Sequence, residues 1–124
     1  IPQAKIIVPN SENNSVISAR ITFVIDILNS LGVAHQAVKG SEITNEEFSG
    51  GNLFIICADD EWYLNQLADF RSSNRLAEKP VFVVGSKSEL SQLVESKLIS
   101  DVLSPTSDLS TFLETVQQII NHEA

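Results

Sequence analysis

The chain has no methionine, one cysteine, one tryptophan and one tyrosine among its 124 residues. A single cysteine, Cys57, rules out an internal disulfide and fits a reducing compartment. Positive charge is scarce. Eight Lys and Arg stand against sixteen Asp and Glu, for a formal net charge of −8. That balance argues against nucleic acid, whose phosphates need cations to replace their counterions. It argues equally against direct docking on anionic lipid. Apolar runs are short and interrupted, so none is long enough to span a bilayer. No Gly-rich phosphate loop, metal-ligand cluster or Ser-His-Asp spacing stands out, so no cofactor and no metal are expected. The chain begins at Ile1 without a signal-peptide pattern, and it reads as a single domain, residues 1–124, excised from a longer protein.

Apolar residues make up 43% of the chain, enough for a proper core. They fall into alternating patterns. Lys5-Ile6-Ile7-Val8 is a buried-strand run ended by Pro9-Asn10. A polar loop, Ser11 to Asn14, precedes a helix from about Ser15 to Leu31, which Gly32 stops. Val33 to Val38 is a weaker strand. Thr44-Asn45-Glu46-Glu47 has capping-box spacing and opens a short helix that Gly50-Gly51 ends. Leu53-Phe54-Ile55-Ile56-Cys57 is the most apolar run and the expected central strand. After Asp59-Asp60 comes a helix from about Glu61 to Leu76, with Leu64, Leu67 and Phe70 on one side. Pro80 to Val84 is a fourth strand. A second capping box, Ser86-Lys87-Ser88-Glu89, leads into a helix to about Lys97. Asp101-Val102-Leu103 is a short fifth strand before Pro105. Ser107 or Asp108 caps a last helix with Leu109, Phe112, Val116, Ile119 and Ile120 on its core face.

Five strand–helix repeats with continuous apolar strands imply a parallel sheet covered on both faces. Right-handed crossovers and this length give an α/β, flavodoxin-like (βα)5 three-layer sandwich with strand order 2-1-3-4-5.

In element order, spacing and the Pro after the fifth strand, the whole chain resembles the receiver domains of bacterial response regulators and hybrid histidine kinases. The resemblance implies five functional residues: two acidic residues after strand 1 for magnesium, an acceptor Asp after strand 3, a Thr or Ser after strand 4, and a Lys before the Pro after strand 5. Magnesium wants carboxylate and water oxygens, and phosphoryl transfer needs positioned cations. Here those positions hold Pro9 and Asn10, Cys57, Gly85 and Ser104. The pattern is similar to the pseudo-receivers, which keep the scaffold without the chemistry. It implies a domain that is not itself an enzyme, in a parent chain that could carry histidine kinase activity. It also implies a cytoplasmic location, free or as the cytoplasmic part of a membrane-anchored sensor. The implied partners are kinase, receiver or phosphotransfer domains of a two-component phosphorelay pathway.

Other readings stay open at particular residues. Asp59 and Asp60 suit a helix start, where carboxylates cap free N–H groups, and they are the candidates for an atypical phosphoacceptor. Cys57 has no basic neighbour in sequence and reads as an inert, partly buried thiol. His35 and His122 read as surface residues. In the first helix Ile17, Ile21, Val24, Leu28 and Leu31 form the core stripe. Val16, Phe23 and Ile27 form a second stripe, either packed under a neighbouring loop or exposed as a partner surface. Trp62 and Tyr63 are a second candidate anchor, since aromatics are enriched at interface hot spots. A further alternative is a small-ligand sensor binding at the strand 1/strand 3 switch point.

Overall fold

The computed structural model describes residues 4–9, 15–39, 53–73, 80–104 and 109–123. Five parallel strands form one sheet: β1 (Ala4–Val8), β2 (His35–Lys39), β3 (Leu53–Ile56), β4 (Val81–Val84) and β5 (Asp101–Leu103). Their order is β2-β1-β3-β4-β5, with helices α1 (Ser15–Leu31), α2 (Asp60–Ser73), α3 (Ser91–Glu95) and α4 (Ser110–Glu123) between or after them. This is the expected flavodoxin-like α/β arrangement.

Side chains alternate across a strand, so each apolar run feeds two cores. Ile7, Phe54, Ile56, Val81, Val83 and Val102 point to the face covered by α2 and α3. Ala4, Ile6, Leu53, Ile55, Phe82, Val84 and Leu103 point to the opposite face, under α1 and α4. On that face Phe82 meets Phe112 of α4 edge to face, with centroids 5.0 Å apart.

The predicted stop of α1 is built as expected. Gly32 has φ +70, a left-handed conformation that costs glycine nothing. The Val33 N–H then reaches Leu28 O at 3.0 Å, and the Gly32 N–H reaches Asn29 O at 3.2 Å. Val33 and Leu28 join the same core cluster, completing the cap with a hydrophobic contact.

Three expectations need correction. Of the expected α2 face, Leu67 is buried and Phe70 packs against the core, but Leu64 is 51% exposed, and Trp62, Tyr63 and Arg71 complete the inward side in its place. Leu31 is exposed too, while Leu28 and Val33 on either side of it are buried. The Ser86–Glu89 capping box does not start a helix. Ser86 O accepts the Leu90 N–H at 3.1 Å in a turn, and α3 begins after Leu90, which makes no side-chain cap. Lys97 lies beyond α3 with φ 63. The Thr44–Glu47 box with Gly50-Gly51, Asn10 with the 11–14 loop, and Pro105, Ser107 and Asp108 lie outside the described residues, as do the side chains of Ile119, Ile120 and His122.

Candidate functional site

Parallel strands end together, so the residues after β1, β3, β4 and β5 share one edge of the sheet. Pro9, Cys57, Gly85 and Ser104 stand there. Cys57 continues the ladder, its N–H donating to Ile7 O at 2.9 Å, and the Gly85 N–H donates to Leu103 O at 3.1 Å. The Cys57 side chain is wholly buried in the cluster under α1. Burial pushes its thiol up to about 12, against the opposing influence of the Arg20 guanidinium. A neutral, enclosed thiol is not a nucleophile at physiological pH.

The two aspartates that follow have separate occupations. Asp59 caps α2, its Oδ1 accepting the Trp62 N–H at 2.7 Å. Asp60 opens the helix, and its Oδ1 lies 2.9 Å from Arg20 Nη2 of α1. The same guanidinium donates through Nη1 to the Ala58 carbonyl. Arg20 thus reaches over the end of β3 and binds both the chain leaving it and the helix beyond. Sequence inspection missed this contact because its partners lie 40 residues apart. It also brings a cation near Cys57 that has no counterpart beside it in sequence.

Gly85 fits around this pair. A Cβ added there would meet Asp60 Oδ1 at 2.7 Å and Leu90 Cδ1 at 2.7 Å. The space that a side chain after β4 would fill is therefore taken. Beneath it, the Tyr63 hydroxyl accepts the Ala58 N–H at 2.8 Å and lies 2.9 Å from Ile56 O and 2.8 Å from Val84 O. One hydroxyl thereby ties the ends of β3 and β4 to α2. Burial raises the Tyr63 pKa, which keeps it protonated as a donor.

Beside this edge lies a cleft of about 580 Å³ between α1 and the ends of β4 and β5. Val16, Ala19, Phe23 and Val84 form its apolar wall. Arg20, Ser86, Lys87, Ser88 and Ser104 supply its polar rim. This is not the strand 1/strand 3 switch point at which sequence reasoning placed a ligand.

The other candidates are dispersed. Tyr63 is 1% exposed and Trp62 9%, so neither is an exposed partner anchor. Trp62 packs inward, edge to face with Phe70 at 5.4 Å. The second stripe of α1 divides: Val16 is 49% exposed, whereas Phe23 and Ile27 are half-buried against the core under α1. His35 Nδ1 lies 3.1 Å from Val33 O on β2, away from the strand-end edge. Among the described residues no three His, Cys, Asp or Glu side chains gather as a metal site would require. No described helix is long and apolar enough to cross a membrane. Compared with family models, with curated proteins and with solved structures, the chain matches none.

Proposed function

We propose that this chain is a receiver-like domain without phosphoacceptor chemistry, acting by protein–protein contact in a two-component pathway. The observation that carries the reading is the occupied strand-end edge. Where phosphoryl transfer would need a free carboxylate, a hydroxyl and a cation around one point, Cys57 is buried and Asp60 is bound to Arg20. Gly85 offers no hydroxyl, and no room for one. Asp59, the other carboxylate beside β3, is engaged by the Trp62 N–H. An edge organised this way is a fixed structural element. Its use would then be to hold neighbouring domains, kinase, receiver or phosphotransfer, in a set arrangement. The exposed start of α1 around Val16 is the proposed contact surface, now without Trp62 and Tyr63.

The test is an amide NMR spectrum with and without magnesium and beryllofluoride, which mimics a phosphoryl group on a receiver aspartate. Amides around Cys57, Asp59, Asp60, Gly85 and Ser104 should not move. Localised, magnesium-dependent shifts at those residues would mean that Asp59 or Asp60 is an atypical phosphoacceptor, and the proposal would fall.

A further inference from the structure

The geometry points to a binding site for a small amphipathic anion, a carboxylate or phosphate monoester with a short apolar tail, in the cleft between α1 and the ends of β4 and β5. This goes beyond the protein-contact reading and does not depend on it.

Charge is the first argument. The chain has twice as many acidic as basic residues, yet the cleft has no acidic side chain among its described lining residues and holds Arg20 and Lys87. The two cations are not equally available. Arg20 is engaged at 2.9 Å by Asp60 and also holds the Ala58 carbonyl, so its charge is largely offset and Lys87 is the cation left for a ligand. Lys87 is loosely held. Its side chain is 48% exposed, and its Nζ lies 3.6 Å from Asp101 Oδ1, well beyond the ~2.8 Å of a charge-assisted hydrogen bond. That Asp101 oxygen already accepts the Val102 N–H at 2.8 Å. A pair this long and this exposed contributes little, so turning Lys87 toward a ligand anion costs little.

Hydroxyls and shape are the second argument. Ser86 and Ser88 face each other at 3.3 Å on either side of Lys87, and both line the cleft. They supply rotatable donors on the same rim of the cleft as Lys87, which suits carboxylate or phosphate oxygens. Next to them lies the apolar wall, with Val16 and Phe23 on α1. At about 580 Å³ the cleft is in the size range of small-molecule sites and far larger than a bare anion needs. An apolar wall beside a cationic, hydroxyl-lined rim selects a ligand with both parts.

The probe is octanoate, titrated into the protein and followed by amide NMR, with acetate as the head alone and octanol as the tail alone. Octanoate should give saturable shifts at Phe23, Gly85, Lys87 and Ser104, with a dissociation constant of order millimolar. Acetate and octanol should bind at least about tenfold more weakly, since each loses half of the contacts. Lys87→Ala should weaken octanoate about threefold or more, and Val16→Asp, at an exposed position, should weaken it further while the spectrum stays dispersed. No saturation up to about 20 mM overturns the proposal. So do shifts spread over the whole surface, or shifts unchanged in both variants. A cleft that takes only an acidic side chain of a partner protein would give the first of these results.

Discussion

Replacing Gly85 by alanine adds one methyl group at a crowded point of the strand-end edge. The new Cβ would lie 2.7 Å from Asp60 Oδ1 and 2.7 Å from Leu90 Cδ1. Leu90 is fully buried and cannot swing into solvent, and the Asp60 oxygen is tied to Arg20 at 2.9 Å. Overpacking of this kind costs roughly 1–3 kcal/mol. Losing glycine's freedom in the unfolded chain works the other way, by about 0.4–1 kcal/mol. The net expectation is destabilisation by about 1–2 kcal/mol. Asp60→Ala alone loses a partly exposed ion pair, for a cost of about 1 kcal/mol or less. The double variant should be less damaged than the sum, by roughly 0.5–1 kcal/mol, because one of the two obstructing atoms is gone. Urea unfolding followed by the fluorescence of the single, largely buried Trp62 measures all three. A neutral or stabilising Gly85→Ala, or strictly additive losses, would refute the idea that the Arg20–Asp60 pair fills the space beside Gly85.

Two other perturbations probe the same edge. Tyr63→Phe leaves the buried Ala58 N–H without its acceptor and removes the hydroxyl shared by Ile56 O and Val84 O, so it should cost about 1–3 kcal/mol in the same unfolding assay; a loss below a few tenths would refute the assigned role of the hydroxyl. For Cys57, an unfolded thiol ionises above its ordinary 9.0 while the folded one stays protonated to about 12, so high pH favours the unfolded chain: stability should be insensitive to this group below 9.0 and fall by up to about 1.4 kcal/mol per pH unit above it, and Cys57→Ala should make that decline shallower, whereas parallel pH curves would contradict the burial argument.

The layout of the fold was legible because its determinants are local. Continuous apolar runs such as Leu53 to Ile56 can be satisfied only between two covered faces, and Gly32 marks the end of α1 on its own. The face of α2 was legible only in part: Leu67 and Phe70 turn inward, Leu64 does not. Its inward side includes Tyr63, whose hydroxyl is satisfied by carbonyls of β3 and β4, and Arg71, which donates to the carbonyl of Leu98. Tyr63 was weighed as a surface anchor because the carbonyls that satisfy its hydroxyl become neighbours only when β3, β4 and α2 pack together. The Ser86–Glu89 box failed for the opposite reason. Its local pattern is real, but the backbone spends it on a turn to Leu90. The strand-end residues Cys57, Gly85 and Ser104 could be placed from the apolar runs alone. What fills the edge could not, because Arg20 meets Asp60 across 40 residues of chain.

The bond from Arg20 to Asp60 has a mechanical consequence. α1 belongs to one helical layer and α2 to the other, with the sheet between them. Layers of this kind ordinarily influence each other only by deforming the strands they share, and a close-packed sheet is stiff. Here one side chain crosses the rim of the sheet and links the exposed beginning of α1 to the first residue of α2. The two layers thus have a direct tie at the rim that does not run through the strands.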